Sequence, residues 1–240
     1  MTPTTSMTGM VAIVTGGSRG IGYAIAETLG HMGATVVIAA TNAERLDHAV
    51  RELSRQGLAC EGFVCDVADL NSVSKLGEHV RNRCGRVDVL VNNAGVGEKA
   101  SLLHELDPMT WDKIFNTNVR GAYYMMRALV PLMMESGGGH VINISSLAGK
   151  NPLPRGAAYS ASKWALNGLS YSAAEELRAH NIRVSVVCPG SVDTEFSPHS
   201  GKSPDEMLRP EDVAHVVAML VTQRPQSFVS EVLIRPTRKS

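Results

Sequence analysis

Short apolar runs alternate with helix-like segments along all 240 residues of the chain. Strands that are apolar on both faces are typical of a parallel sheet, in which a helix connects each strand to the next. The pattern therefore predicts an α/β fold, a doubly wound parallel sheet with helices on both faces. The expected strands are 10–15, 35–40, 59–65, 87–91, 140–145, 182–188 and 228–235, and the expected helices are one that ends near 32, then 42–56, 70–84, 108–135, 157–180 and 210–221.

No change in composition divides the chain, so we expect residues 1–240 to form a single domain. Hydrophobic residues make up 44% of the sequence, which is enough for a sizeable core. Residues 1–9 are rich in threonine and lack a basic start followed by an apolar stretch, so they do not resemble a signal peptide. We expect them to form a flexible tail.

Charge and cysteine content exclude several classes of partner. Lys+Arg and Asp+Glu both number 23, which gives zero formal net charge and no indication of a nucleic-acid partner. The apolar runs are too short to span a membrane. The 4 cysteines are scattered without a CxxC pair or a Cys/His cluster, so no metal site is expected. Free thiols and the absence of an export signal favour a cytoplasmic location.

A glycine-rich turn, residues 15–22, lies between the first strand and the first helix and reads Thr-Gly-Gly-Ser-Arg-Gly-Ile-Gly. Glycines allow a sharp turn and let a pyrophosphate approach the helix N-terminus, where free N–H groups and the helix dipole favour anions. We call this segment the glycine turn and predict that it binds a dinucleotide. Its candidate cofactor-binding residues are Gly16, Ser18, Arg19, Gly20, Ile21 and Gly22.

The end of the second strand indicates which dinucleotide is bound. An acidic residue there would bind the ribose 2′-hydroxyl of NAD, but residues 39–42 contain no carboxylate. The guanidinium of Arg19 and the hydroxyl of Thr41 can instead face a 2′-phosphate. We therefore predict NADP(H), with NAD(H) as the less favoured cofactor. The alternative is that Arg19 simply extends into solvent.

Two further segments end strands at the same edge of the sheet. Asp66, followed by Val67, can accept a hydrogen bond from the adenine amino group, and the alternative for this carboxylate is a turn cap. Asn93, Ala94 and Gly95 form a small turn that lets the backbone pass close to the adenosine ribose.

A tyrosine and a lysine four residues apart, Tyr159 and Lys163, are predicted to lie on one face of a helix. A free phenol has a pKa of about 10 and is a poor acid near neutral pH, whereas a nearby cation lowers that pKa. The hydroxyl of Ser146 can hold a carbonyl oxygen beside the phenol. These residues predict proton transfer to and from an alcohol oxygen, although such a pair on its own is more often structural.

Taken in order, these motifs resemble those of the short-chain dehydrogenase/reductase family over essentially the whole chain. They are the glycine turn, the Asp66 position, Asn-Asn-Ala-Gly at 92–95, Asn118, Ser146, the Tyr159–Lys163 pair and Pro-Gly-Ser-Val-Asp-Thr at 189–194. The resemblance implies a Rossmann-like sheet of about seven strands and a dinucleotide-dependent oxidoreductase.

The resemblance also implies a role for each matching residue. Tyr159 would donate the proton, Lys163 would lower the tyrosine pKa and bind the nicotinamide ribose, and Ser146 would hold the carbonyl. Asn118 would support a chain of water molecules that leads to the lysine. Residues 189–194, here called the nicotinamide turn, would hold the nicotinamide through Pro189, Gly190, Val192 and Thr194.

The substrate is expected to be a small-molecule carbonyl compound or an acyl thioester. The core resembles 3-oxoacyl thioester reductases, but the chain lacks their glycine-rich C-terminal ending and a basic surface at 175–180 for a carrier protein. The alternative is a general alcohol, carbonyl or hydroxy-acid dehydrogenase, which can be linked to NAD(H). We expect Val96, Leu147, Leu153 and Phe196 to line an open pocket bordered by the short segment 195–205. Arg155 could pair there with a substrate carboxylate, but we expect it to be an exposed loop residue.

A catalytically silent protein that senses the nucleotide is the more remote alternative function. The intact set of Ser146, Tyr159 and Lys163 argues against it.

The sequence also predicts a homo-oligomer, either a tetramer or a dimer. Members of the family that the chain resembles usually form tetramers, and the helix over 123–133 is apolar around much of its circumference.

Overall fold

A computed structural model describes residues 6–97, 100–196 and 206–238. The strands form one 7-stranded sheet in the order β3-β2-β1-β4-β5-β6-β7, with every neighbouring pair parallel. The doubly wound, Rossmann-like prediction is therefore confirmed. The strands are β1 (Val11–Thr15), β2 (Thr35–Ala40), β3 (Cys60–Val64), β4 (Val89–Asn92), β5 (Gly139–Ile144), β6 (Ile182–Pro189) and β7 (Glu231–Ile234).

Helices cover both faces of this sheet. Helices α1, α2 and α7 pack on one face, and α3, α5 and α6 pack on the other. No helix in the described ranges is both long and apolar enough to cross a membrane. The helices are α1 (Gly20–His31), α2 (Ala43–Arg55), α3 (Leu70–Cys84), α4 (Pro108–Phe115), α5 (Gly121–Glu135), α6 (Ala157–Leu177) and α7 (Pro210–Val221).

The central strand β1 shows why the sheet is covered on both faces. All five of its residues are buried. Ala12 and Val14 point into the core under α1, α2 and α7, whereas Val11 and Ile13 point into the opposite core. Because side chains alternate along a strand, an apolar run of this kind is stable only between two helical layers.

The chain reverses its direction of travel across the sheet at β1. Strands β2 and β3 lie on one side of β1, and β4 to β7 lie on the other. The helices that leave β1 and β4 consequently cover opposite faces, and a crevice opens between their starting points. The carboxyl ends of β1, β4, β5 and β6 meet at this crevice, which positions the candidate site.

Several predicted bounds differ from the observed ones by one to three residues, and two of the differences are described here because they change an element most. The single helix expected over 108–135 is interrupted by a π-helical turn, Asn116–Arg120, which separates α4 from α5. The last strand is shorter than the predicted 228–235, because only Glu231–Ile234 pairs with β6.

The prediction that residues 1–9 form a flexible tail is wrong for Met7. Its side chain is only 2% exposed and packs into the core under α1. Its backbone N–H donates to the Met32 carbonyl at 2.8 Å. Burial of this apolar side chain offsets the conformational entropy lost by fixing the segment. Residues 1–5 lie outside the described part of the chain.

The apolar circumference of α5 is explained mostly by packing within the chain. The predicted apolar surface of this helix consists of Tyr123, Tyr124 and six aliphatic or methionine residues. All six of these are buried in the core: Met125, Met126, Leu129, Val130, Leu132 and Met133. Tyr123 remains 44% exposed. This helix therefore gives less support to an oligomer than its sequence indicates.

His140 is a buried titratable residue of the sheet, on β5. Its Nε2 lies 2.7 Å from the Ser185 hydroxyl, which in turn donates to the Val229 carbonyl at 2.6 Å. Burial disfavours the imidazolium form and lowers the pKa of His140 to about 3. The native protein therefore keeps this histidine neutral at pH values where the unfolded chain is protonated.

The first prediction concerns acid stability. Because the unfolded histidine binds a proton below its ordinary pKa of 6.5 while native His140 does not, stability is lost as pH falls from 6.5 towards 3. At pH 5 the loss from this residue is about 2 kcal/mol. Urea unfolding at pH 7 and pH 5 should show a smaller loss for His140→Leu than for the wild type. His104→Gln, which removes an exposed imidazole, should retain the wild-type loss, and equal losses in all three proteins would contradict this assignment.

Candidate active site

A cleft of about 990 Å³ lies at the carboxyl edge of the sheet. It extends from the glycine turn to the start of α6. Of the residues predicted from sequence, Gly22 and Asn118 lie behind its wall. The others line it: Gly16, Ser18, Arg19, Gly20, Ile21, Thr41, Asp66, Val67, Asn93, Ala94, Gly95, Ser146, Tyr159, Lys163, Pro189, Gly190, Val192 and Thr194.

The glycine turn is packed too closely for larger side chains. Gly16 has a φ of 65°, and a Cβ atom there would lie 2.9 Å from Nδ2 of Asn93. A Cβ atom on Gly22 would lie 2.3 Å from the Gly16 carbonyl oxygen. Gly22 therefore does not line the cleft, but its lack of a side chain lets α1 pack directly against the glycine turn.

Thr15 joins the glycine turn to the loop after β4. Its buried Oγ1 accepts hydrogen bonds from the backbone N–H groups of Asn93 and Ala94, both at 3.0 Å. Nδ2 of Asn93 in turn donates a hydrogen bond to the Thr15 carbonyl at 2.9 Å. Thr15 was not among the predicted site residues, although a hydroxyl at the end of an apolar strand is a signal that could have identified it.

The N-terminus of α1 meets the requirements for binding a diphosphate. Arg19 is its N-cap residue, but the side chain makes no capping bond, and the first turn contains no acidic residue. The first N–H groups of a helix have no partner within the helix, and the dipole adds partial positive charge. An uncapped helix end beside a turn with no room for Cβ atoms fits the dinucleotide predicted from the sequence.

Two arginines meet one glutamate at the other end of the glycine turn. The guanidinium of Arg19 pairs with the carboxylate of Glu195, and the same carboxylate oxygen lies 3.3 Å from Nη1 of Arg45. Asn42 caps α2 by accepting the Arg45 N–H at 2.8 Å. Arg19 is therefore ion-paired rather than free in solvent. Arg45 and Glu195 were not predicted, because nothing local indicates a contact between residues so distant in sequence.

Asp66 makes the turn cap that was the alternative for it, and its contact with the adenine stays a prediction. One carboxylate oxygen accepts the Ala68 N–H at 2.9 Å, which is the turn cap. The residue also lines the cleft, beside Val67.

Ser146, Tyr159 and Lys163 converge at the far end of the cleft. Helix α6 carries the phenol and the amine one turn apart, and Nζ of Lys163 lies 5.6 Å from the centre of the Tyr159 ring. Ser146 follows β5, and its hydroxyl lies near enough to the Tyr159 phenol to lower the pKa of that phenol. Nζ of Lys163 donates to the Ile144 carbonyl at 2.9 Å, which fixes α6 against the end of the strand.

Burial controls the proton affinities of this set. It raises the pKa of Tyr159 to about 12, and the nearby hydroxyl of Ser146 opposes that rise. It lowers the pKa of Lys163 to about 8, because the ammonium is less well solvated there than in water. The sequence predicted the opposite direction for Tyr159, so in this structure desolvation outweighs any effect of the lysine.

Asn118 lies in the π-helical turn between α4 and α5 and is 2% exposed. Its side chain forms a reciprocal pair with the Val96 backbone, with bonds of 2.8 and 2.9 Å, and donates to the Ser162 hydroxyl at 3.0 Å. It therefore fixes the loop after β4 to α6 close to Lys163. Support for a chain of water molecules stays a prediction.

Four apolar side chains predicted to border the substrate lie in the lining of the cleft. They are Val96, Leu147, Leu153 and Phe196, and the Phe196 ring centre lies 5.8 Å from that of Tyr159. Arg155 is exposed, has a φ of 62° and is not part of this lining. The predicted border segment continues into residues 197–205, which lie outside the described part of the chain.

No group of 3 or more His, Cys, Asp or Glu residues within the described ranges is arranged to hold a metal ion. The residues that line the cleft can supply anion binding at the glycine turn and proton transfer at Tyr159.

Comparison with known proteins agrees with this geometry. A family model described as short chain dehydrogenase matches residues 10–205. An uncharacterized oxidoreductase from Staphylococcus saprophyticus is 34% identical over 227 residues, covering 94% of this chain and 97% of that protein. Dehydrogenase/reductase SDR family member 4 from Oryctolagus cuniculus is 36% identical over 236 residues, covering 93% of this chain and 91% of that protein.

Solved structures give the same result. A metagenomic short-chain oxidoreductase in complex with NADP has a TM-score of 0.86 and 48% identity, covering 97% of this chain and 99% of that one. An alcohol dehydrogenase from the archaeon Thermococcus sibiricus, complexed with 5-hydroxy-NADP, has a TM-score of 0.88 and 30% identity. That alignment covers 95% of this chain and 97% of the archaeal chain.

The second prediction tests the packing of the glycine turn. Gly22→Ala forces a methyl group against the Gly16 carbonyl and should lower the free energy of unfolding by about 1–3 kcal/mol. Gly168→Ala is the matched control, because it also lies in a helix and a Cβ atom there has nothing within 4 Å. This control should be neutral or slightly stabilising by helix propensity. Urea unfolding measures both, and equal behaviour of the two variants would contradict the packing described for the turn.

Proposed function

The chain belongs to the short-chain dehydrogenase family, and on that premise we propose that it is an NADP(H)-dependent oxidoreductase that reduces a carbonyl group to an alcohol. One observation carries the proposal. The phenol, amine and hydroxyl of Tyr159, Lys163 and Ser146 share a single cleft with the uncapped N-terminus of α1. Nucleotide binding and proton transfer are thereby brought into one space.

Separate parts of the chain would hold the cofactor. The glycine turn and the N-terminus of α1 suit the diphosphate, and Arg19 with Thr41 suits the 2′-phosphate. Asp66 suits the adenine amino group, the loop 93–95 suits the adenosine ribose, and the nicotinamide turn suits the nicotinamide. When bound, the reduced nicotinamide supplies the hydride for the carbonyl carbon.

Tyr159 is the proposed general acid. A phenol whose pKa is raised to about 12 remains protonated at neutral pH, so the proton is present, but such a phenol is a weaker acid than a free one. The proposal therefore requires that a positive charge close to the phenol lowers this pKa during the reaction. The hydroxyl of Ser146, which lies near this phenol, would hold the carbonyl oxygen within reach of the proton. Both directions of the reaction use the same groups, since the phenolate accepts the proton when an alcohol is oxidised.

Lys163 is proposed to bind the nicotinamide ribose and to fix Tyr159. One of its N–H groups is committed to the Ile144 carbonyl, and an ammonium carries three donors. The remaining donors face the side of the cleft where Gly95 leaves room, since a Cβ atom on that glycine would lie 3.7 Å from Nζ.

The proposed substrate is a ketone, either a 3-oxoacyl thioester or a related carbonyl compound. The apolar lining favours a substrate with little charge near the reacting carbon. The alternative is a general alcohol, carbonyl or hydroxy-acid dehydrogenase, which can be linked to NAD(H). The exposed acidic pair Glu175 and Glu176 on α6 favours this alternative over a reductase that binds an acidic carrier protein.

A homo-oligomer and a cytoplasmic location form part of the proposal. Exposed apolar side chains on α4 and α5 support an interface with a second copy, since Met109 is 73%, Tyr123 44% and Trp111 36% exposed. The cysteines, all of them unpaired, support a reducing compartment.

The third prediction tests the acid and the reaction class together. NADPH oxidation should be observed with at least one member of a panel of acetoacetyl thioesters, diketones and aldehydes, or NADP⁺ reduction with a 3-hydroxy acid in the reverse direction. Tyr159→Phe should lower kcat by about 10²–10⁴-fold with an unchanged dissociation constant for NADPH. Tyr123→Phe, which alters an exposed phenol, should retain activity. Full turnover in Tyr159→Phe would exclude this acid, and NADPH binding without turnover of any compound would favour the silent sensor.

The fourth prediction concerns pH. The ammonium of Lys163 carries a positive charge and one more N–H donor than the neutral amine, so the affinity for NADPH should fall as pH rises through about 8. The decline should level off at higher pH, because the neutral amine still has N–H groups that can donate. Fluorescence titrations between pH 7 and pH 9.5 should show weaker and pH-independent binding for Lys163→Met. Lys75→Met, on the exposed surface of α3, should retain the decline, and the same decline in Lys163→Met would refute the assignment.

A further inference from the structure

Arg19, Arg45 and Glu195 form a cluster at the rim of the cleft that joins three separate parts of the chain. Arg19 precedes α1, Arg45 lies in the first turn of α2, and Glu195 follows the nicotinamide turn. The two guanidiniums share one carboxylate oxygen, which pairs with Arg19 and lies 3.3 Å from Nη1 of Arg45. We call these residues the arginine–glutamate cluster.

The position of this cluster explains what it can bind. It adjoins the end of β2, which contains no carboxylate, and Thr41 lies beside it in the lining of the cleft. Two planar guanidiniums directed at one oxygen form a site that matches an anion with several acceptor oxygens. The carboxylate of Glu195 thus occupies a place suited to a phosphate monoester.

A phosphate can readily displace the carboxylate of Glu195 from the two arginines. The side chains of Arg19, Arg45 and Glu195 are 51%, 54% and 64% exposed. Ion pairs of this kind contribute only about 0–1 kcal/mol to stability, so breaking them costs little. A phosphate monoester carries a charge of about −1.5 to −2 at pH 7, compared with −1 for the carboxylate, and offers more acceptor oxygens.

We propose that Arg19 and Arg45 together form the 2′-phosphate site of the cofactor and that Glu195 is an internal carboxylate that occupies this site in the absence of the phosphate. The proposal deepens the function proposed above and rests on its choice of NADP(H). Arg45 becomes a specificity-determining residue. Glu195 becomes a competitor that lowers the discrimination between NADP(H) and NAD(H), because it pairs with the arginines whenever the ribose carries only a hydroxyl.

Each substitution has a distinct expected effect. Arg45→Gln removes one guanidinium, so it should weaken binding of a 2′-phosphate by about tenfold without affecting a nucleotide that lacks this group. Glu195→Gln removes the competing charge, so it should strengthen binding of the 2′-phosphate by about two- to fivefold, the upper part of the range expected when an exposed ion pair no longer has to be broken.

The test is calorimetric titration of the full chain with adenosine 2′,5′-bisphosphate and with adenosine 5′-monophosphate, which differ only in the 2′-phosphate. Controls for charge are Arg51→Gln, on α2 away from the cluster, and Glu78→Gln, on the surface of α3. Neither control should change the ratio of the two affinities. Thermal unfolding confirms that all variants are folded, as expected for exposed positions.

The outcomes separate this inference from the function on which it rests. A wild-type preference for the bisphosphate that falls in Arg45→Gln and rises in Glu195→Gln supports it. The same preference left unchanged by both substitutions overturns the inference and leaves the NADP(H) proposal intact. If the wild type does not prefer the bisphosphate and Glu195→Gln does not gain this preference, both the inference and the NADP(H) proposal are overturned. Weaker bisphosphate binding in Glu195→Gln would also contradict it, because the carboxylate would then support the site rather than compete for it.

Discussion

The hydrogen bond from Nζ of Lys163 to the Ile144 carbonyl is the contact on which the candidate site depends. A side chain only 4% exposed that carries an ammonium is stable in a core only if polar partners replace the lost water. Here the partner is the end of β5, so the bond fixes both the depth and the rotation of α6 against the sheet. Tyr159, one turn earlier on the helix, is thereby held beside Ser146, which leaves the same strand.

The sheet topology brings the remaining groups to this point. Because the strand order reverses at β1, the loops after β1 and β4 face each other across a crevice, and Thr15 joins them through the bonds to Asn93 and Ala94. Glycines at the start of α1 keep that end of the crevice free of side chains. The anion-binding end and the proton-transfer end are therefore parts of one rigid edge of the sheet rather than of two mobile loops.

Those parts of the fold that follow from local pattern were predictable from sequence. The apolar run of β1 requires a helical layer on each face, and the glycine turn and the Tyr159–Lys163 spacing carry their chemistry within a few residues. Tertiary effects were not predictable. The burial of Met7, the contact of Arg45 with Glu195 and the raised pKa of Tyr159 depend on packing between distant segments, and the π-helical turn at Asn116–Arg120 leaves no periodic signal in sequence.

The most direct measurement is a crystal structure of the chain with bound NADP⁺. The account predicts that the nucleotide extends along the cleft from the N-terminus of α1 to the phenol of Tyr159, with a ribose hydroxyl hydrogen-bonded to Nζ of Lys163 and that amine still bonded to the Ile144 carbonyl. A nucleotide bound elsewhere, or one whose nicotinamide lies far from Tyr159, would contradict the claim that cofactor binding and proton transfer share one site.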